Sequence, residues 1–350
     1  MELSNDRIKE IDISRGIAII LVVLGHAIIS DMTINNEFLY SIRQIIYAIH
    51  MPIFFTISGF LFQKNLSKYL EIGKKKYLSK KIKNFIIPYI SLSLLDYLII
   101  FVGFKFPFIK DILLKNNFYL PSILDFIKMV LTFINHFDNH LWFLYVMFII
   151  LVLNIIFFAN RKIDFKIFIF VSFVLYIIGI KYSNFIPEIL WKVLKYNFIF
   201  IYGRGLSKMK ENKYIDIVLT ILSILSMISL VIFLHIEIIP LKIIKFFMEI
   251  TCSYVCVFVL PKFFLKGKII NYLGKNNNSL VIYLFHMSFI LLTIIFIFMK
   301  LNINVYVTII LSSIFSIILC LFINNIVLAK SNILSSVFLG KKIKERLNNE

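Results

Sequence analysis

Cysteine is scarce in this chain: Cys252, Cys256 and Cys320 make up the total, and each falls inside an apolar run with no metal-like partners nearby. That spacing offers neither a disulfide framework nor a metal site, and the three thiols read as packing residues. Charge is scarce as well. Only 16% of the 350 residues are charged while 60% are hydrophobic, and mean hydropathy is +0.90. A soluble core could not hide that much apolar surface. Also missing are an internal repeat, a Gly-rich phosphate loop and a dinucleotide fingerprint, which removes the usual signs of solenoids and nucleotide-binding folds. The first apolar run lacks a small-residue cleavage site and keeps Arg15 and His26, so it reads as a retained span and not a signal peptide.

What is there is a succession of long apolar runs, several of spanning length. The expected fold is all-α: a polytopic helical bundle of about ten transmembrane helices, one membrane domain over residues 1–350. The spans are expected near 14–30, 46–62, 84–104, 140–159, 165–180, 187–203, 214–234, 243–261, 279–299 and 303–328. The sixth is interrupted by Pro187, Lys192, Lys195 and Asn197, yet charge requires it. With ten spans and a cytoplasmic N-terminus, cytoplasmic segments hold more than twice the Lys and Arg of the opposite side. Removing the sixth would put both 204–213 and 262–275 outside. Both termini are therefore expected in the cytoplasm. The formal charge of +19 then calls for anionic lipid as a partner and not for nucleic acid. A segment near Leu120–Phe133 is amphipathic and is expected to lie in the interface.

The stretch Arg15-Gly-Ile-Ala-Ile-Ile-Leu-Val-Val-Leu-Gly25-His26 places a cation at the mouth of an apolar helix and an imidazole deep inside it. Eleven helical residues make three turns plus about 20°, so the two side chains share a face, about 16 Å apart. Ile19 and Val22 lie on the same stripe, and Asp12 extends it backwards. Ionisable residues within a span are costly and usually face a bundle interior or wet cavity. In the second span, His50-Met-Pro52-Ile-Phe54-Phe55-Thr-Ile-Ser58-Gly59 sets a second histidine at a depth matching His26. Pro52 removes a backbone donor, and Gly59 admits close helix approach.

These two motifs, with His140-Leu-Trp142-Phe-Leu144, Tyr283-Leu-Phe-His286 and the basic run ending Ile87-Pro88-Tyr89, resemble the acyltransferase-3 family of membrane acyltransferases. Within it they are similar to the fucose 4-O-acetylase-like branch. The Arg-x10-His spacing is that family's signature, and Arg15 and His26 match it residue for residue. The resemblance implies acyl transfer from cytosolic acyl-CoA, most simply acetyl-CoA, to a hydroxyl, usually of a sugar. It implies a multi-pass enzyme of the bacterial cytoplasmic membrane acting on a cell-surface or lipid-linked glycan, with acyl-CoA as substrate and no bound cofactor or metal.

The residues suggest roles. Arg15 could grip a donor phosphate through its planar fork, with Asp12 orienting it. His26 could take the acceptor's proton, since neutral imidazole is the usual general base near pH 7. An acyl-His26 intermediate is the alternative. His50, Ser58 and Gly59 are pocket candidates, as are Lys80, Lys81 and Lys83 in the basic run for a phosphorylated donor; His140, Trp142 and His286 are candidates on the acceptor side. Asp138 and Asn139 could border an acceptor mouth. Asp96 is a weaker polar group, Glu249 is expected to pair with Lys245 at the surface, Asn154 and Asn276–Asn278 to serve packing and helix entry, and His136 and His235 to be solvated. A transporter or flippase of lipid-linked saccharides is the rival reading. The halves show no inverted-repeat pattern, which favours the enzyme.

Overall fold

In the computed structural model the described residues are 5–115, 118–135, 139–158, 164–234 and 238–341. They are helical throughout, 85% helix with no strand among them. His136, Asp138 and His235 lie outside this set. We label the helices α1 (Asn5–Ala27), α2 (Glu37–Lys64), α3 (Lys74–Gly103), α4 (Ile123–Thr132), α5 (Trp142–Phe158), α6 (Phe165–Lys181), α7 (Glu188–Leu206), α8 (Lys213–Phe233), α9 (Ile238–Tyr254), α10 (Lys268–Gly274), α11 (Asn276–Phe285), α12 (Leu292–Lys300), α13 (Val305–Phe322) and α14 (Asn332–Leu339).

Among the described residues, five helical stretches are long and apolar enough to cross a membrane: α2, α3, α8, Leu241–Phe263 and Val305–Leu328. Trp142–Phe157 is apolar as well but shorter. Others that the apolar runs suggested are helical but more polar or shorter. The α1 helix carries Glu10, Asp12 and Arg15, α7 carries Glu188, Lys192, Lys195 and Arg204, and α6 has 17 residues. The chain is built for lipid, as α8 shows. It exposes Ile217, Ile221, Ile224, Ile228 and Ile232 along one stripe, each at least half exposed, which water would penalise and acyl chains do not.

Two prolines, Pro88 and Pro261, accompany π-helical turns, whereas Pro52 sits inside the uninterrupted α2. A proline inside a helix removes one hydrogen bond and pushes away the carbonyl four residues earlier. Pro88 stands four residues after Asn84, inside the π-helical turn Ile82–Ile86, and Pro261 stands four after Val257, inside the π-helical turn Val255–Val259. The released Val257 carbonyl is used: Ser14 Oγ on α1 donates to it at 3.3 Å. Glycine sets the closest helix crossings. A Cβ on Gly59 would meet the Phe200 carbonyl at 1.9 Å, and one on Gly203 the Thr56 carbonyl at 2.2 Å, so α2 and α7 touch backbone to backbone. Gly274 of α10 is equally tight against α1, where an added methyl would stand 1.5 Å from the Asp12 carbonyl oxygen. Gly59 thus serves helix packing.

The interfacial expectation for Leu120–Phe133 becomes α4, started by a reciprocal Ser122–Asp125 capping box. It seats Met129 under the Tyr89 hydroxyl, which donates to the Met129 carbonyl at 3.0 Å. Ile123, Leu124 and Leu131 stay exposed on its other side.

Candidate functional site

Four helical elements bring four histidines together. His26 comes from the last turn of α1, His50 from mid-α2, His140 from the short 3₁₀ turn Asn139–Leu141 that opens α5, and His286 from the start of the π-helical turn after α11. Ring centres lie 5.1 Å apart for His26 and His286, 5.2 Å for His140 and His286, 6.2 Å for His26 and His50, and 6.3 Å for His26 and His140. His50, His140 and His286 are buried, whereas His26 is only partly so. It is therefore the most exposed member of the cluster.

The backbone decides which nitrogen of each ring carries hydrogen. A carbonyl only accepts, so a neutral imidazole nitrogen facing one must donate. His50 donates from Nδ1 to the Ile46 carbonyl at 2.6 Å, and His140 donates from Nε2 to the Tyr283 carbonyl at 3.0 Å. His286 donates from Nδ1 to the carbonyls of Ile282 and Tyr283 at 2.9 and 3.0 Å. Its Nε2 is then an acceptor, and it faces His26 Nδ1 at 3.1 Å. His26 must donate from Nδ1, which leaves the lone pair on His26 Nε2. A lone pair on His26 Nε2 is the outcome of this chain of bonds. The Tyr283 hydroxyl locks the arrangement by donating back to the His140 carbonyl.

Aromatic rings lead off from the cluster through Tyr283, whose ring centre lies 5.4 Å from that of His140. Phe143 packs on Phe54 and Tyr283 at 5.9 and 5.4 Å between centres. Tyr47 lies 5.8 Å from His26 and 5.3 Å from His50, with the Arg43 guanidinium 5.1 Å above its ring. Arg43, Tyr47 and His50 share a stripe of α2 at spacings of four and three. Sequence reading missed Arg43 and Tyr47, although that spacing was there to be seen: Arg43 precedes the expected span, and Tyr47, inside it, reads as one more aromatic of an apolar helix.

Arg15 sits where the motif put it and pairs with Asp12 at 2.8 Å, one turn earlier. Between Arg15 and His26, however, Ile19 and Val22 are wholly buried in the core, so the stripe is packed and not an open groove. Ser58 lies eight residues from His50, about two helical turns further along α2 and away from the four rings. Trp142 turns away from its neighbour His140: it stacks on Tyr196 at 5.1 Å, with the Lys192 ammonium 4.4 Å over its face. Lys80, Lys81 and Lys83 stand at the start of α3, where Lys81 lies over Tyr69 and Tyr77 at 5.5 and 5.1 Å. They form a separate basic patch outside the cluster.

Three other polar groups differ from expectation. Glu249 does not pair with Lys245; it is 2% exposed, bonded to Lys195 at 2.5 Å and to the Tyr176 hydroxyl at 2.9 Å. An ion pair across helices outcompetes the neighbour along α9 because burial demands full compensation. Lys245 instead donates to Gln44 at 3.2 Å. Arg204, expected at the start of a loop, is buried in the last turn of α7, where Gln63 and Asn154 accept its hydrogens at 2.7 and 3.0 Å. Asn154 thereby does more than pack. Asp96 accepts from Asn135 at 2.7 Å, and Asn278 joins α11 to Asn324 at 2.7 Å. A cavity of about 260 Å³ between Phe60, Lys64, Lys210, Tyr254 and Lys262 contains none of the histidines.

No curated protein and no solved structure matches the chain. A family model does: the acyltransferase domain of the acyltransferase-3 family matches residues 8–325, from before the Arg15–Asp12 pair to beyond His286. With that match over nearly its whole length, the chain belongs to the acyltransferase-3 family, and it is a membrane acyltransferase.

Proposed function

We propose that this acyltransferase moves an acetyl group from cytosolic acetyl-CoA to a hydroxyl of a sugar, in the manner of the fucose 4-O-acetylase-like branch. The observation that carries the reading is the His26–His286 bond, which leaves His26 Nε2 as a half-buried base in an otherwise closed ring cluster. The acceptor hydroxyl gives its proton to His26 Nε2 as its oxygen attacks the thioester carbonyl carbon. The carbon–sulfur bond breaks, the ester is formed, and the proton passes to the departing CoA thiolate. No net proton is released. Arg15 holds a donor phosphate, its fork oriented by Asp12. Since Ile19 and Val22 fill the stripe above it, the thioester arm enters beside them and meets His26 against Phe54 and Phe143.

The setting we propose is the bacterial cytoplasmic membrane, crossed ten times with both termini inside. Helices such as α1 and α7, too polar to cross alone, are carried by their neighbours: the pairs Arg15–Asp12 and Lys195–Glu249 neutralise their charges. Lys80, Lys81 and Lys83 then face the cytosol, where anionic lipid and the donor's phosphates both lie. Purified protein in lipid nanodiscs should consume labelled acetyl-CoA and pass the label to a glycan acceptor. Failure with all acceptors, and no release of CoA, would refute the reading.

A further inference from the structure

Three of the five stretches long and apolar enough to span a membrane reach the cavity of about 260 Å³ between Phe60, Lys64, Lys210, Tyr254 and Lys262. Lys64 closes the stretch Glu37–Lys64, Asp216 stands in the first turn of α8, and Lys262 is the last residue but one of Leu241–Phe263. Spans end where hydrocarbon gives way to headgroups, so the cavity lies at headgroup depth. Its charges are unevenly matched. The Asp216 carboxylate accepts from the Tyr254 hydroxyl at 2.7 Å and from Lys262 at 3.1 Å, and Lys262 also pairs with Glu211 at 3.5 Å. Both acids of the lining are thus engaged. Lys64 lies 5.8 Å over the Phe60 ring, and Lys210 follows the end of α7. Among the described residues neither ammonium has a carboxylate within ion-pair distance. Beside these charges apolar side chains stay exposed: the lining residue Met209 at 50%, Ile217 next to Asp216 at 57%, and Phe263 next to Lys262 at 78%.

We propose that this cavity is a headgroup site for an anionic phospholipid of the phosphatidylglycerol type. Lys64 and Lys210 take the phosphate oxygens, and the acyl chains run over Met209, Ile217 and Phe263, side chains that water would penalise. An amine-bearing headgroup needs a carboxylate of its own, and both in the lining are held by Lys262 and Tyr254, so ethanolamine and choline lipids fit less well. A soluble phosphate would leave the apolar side chains bare. The donor is too large: pockets that enclose a drug-sized ligand measure roughly 300–1,000 Å³. The cavity contains none of the four histidines, so the site stands apart from the transfer reading. A lipid seated there joins the ends of three spans.

The test uses the full chain in micelles of an uncharged polyoxyethylene ether detergent. Native mass spectrometry counts the lipids bound per chain as dioleoyl phosphatidylglycerol, phosphatidylethanolamine or phosphatidylcholine is added. The first phosphatidylglycerol should bind about tenfold or more tightly than either of the others. The double variant Lys64→Gln, Lys210→Gln should lose that preference. The double variant Lys75→Gln, Lys76→Gln removes the same charge from the start of α3, outside the cavity, and should keep it. Lys64 and Lys210 are exposed, so their replacement should leave the fold intact, read as an unchanged midpoint of thermal unfolding with phosphatidylcholine. Lys210→Gln alone, expected to lose part of the preference, stands in if the double variant does not fold. Equal affinity for the three lipids, equal loss in the two double variants, or a preference untouched by Lys210→Gln would overturn the proposal. Glycerol 1-phosphate and CoA, each added at the concentration of the lipid, should not displace it. Displacement by either would assign the cavity to a soluble phosphate, and the lipid proposal would fail.

Discussion

Replacing His286 by leucine should slow transfer without removing the base. The side chain is fully buried and accepts the Nδ1 hydrogen of His26 at 3.1 Å. Leucine is of similar size and fills the site, but it cannot accept. His26 Nδ1–H then loses its partner in an apolar setting, a cost of about 1–3 kcal/mol. The ring recovers it by turning toward another acceptor, which takes Nε2 off its line. At about 1.4 kcal/mol per tenfold, kcat should fall about 5- to 150-fold. Most of that range lies below the 10²–10⁴-fold typical for removing a general base. His286→Gln keeps an acceptor oxygen at a similar reach, so it should regain much of the loss. The assay is the initial rate of label transfer from acetyl-CoA, with KM for the donor followed separately and expected to hold. A His286→Leu enzyme with unchanged kcat would show that His26 is not oriented by this bond. If leucine and glutamine lose equally, the effect is one of packing.

Arg15→Lys keeps the charge and loses the fork, so the donor KM should rise about tenfold or more while acceptor binding is unchanged; an unaltered donor KM would remove Arg15 from its role. Glu249→Gln strands Lys195 in the bundle and should destabilise the protein by about 3–5 kcal/mol, read as a lower midpoint of thermal unfolding. Gly203→Ala puts a methyl 2.2 Å from the Thr56 carbonyl, forces α2 and α7 apart and should cost about 1–3 kcal/mol or more by the same measurement, whereas Gly205→Ala, with no atom closer than 3.8 Å, should be mild. Single cysteines at Lys75 and Lys110 should label from opposite sides of sealed vesicles, over a low background since the three native cysteines are buried; labelling from one side would refute the ten-span arrangement.

The fold class and the first two motifs were readable because they depend on local facts. Apolar run length announces a membrane helix whatever packs against it, and the eleven-residue step from Arg15 to His26 fixes a shared face. The Arg15–Asp12 pair, one turn apart on one helix, was legible for the same reason. Contacts between helices were not. Glu249 had a cation four residues before it and another on a distant helix, and only the packing of α7 on α9 selects Lys195. His140 and His286 could be named from the family resemblance, but their meeting at 5.2 Å, and the carbonyls of Ile282 and Tyr283 that set their tautomers, belong to the tertiary structure. Nor was the parting of Trp142 from His140 legible: the two are two residues apart, and the switch from a 3₁₀ turn to α5 sends the two side chains to different neighbours.

The most direct measurement is transfer of label from acetyl-CoA to a glycan by the wild-type chain and by His26→Gln, at matched amounts of folded, inserted protein. Glutamine keeps a polar side chain of similar reach but takes up no proton at neutral pH. If His26 Nε2 is the base, the wild type transfers label with one CoA released per ester formed, and His26→Gln falls about a hundredfold or more. Near-normal turnover by His26→Gln would contradict it and reduce His26 to a hydrogen-bonding residue of the cluster.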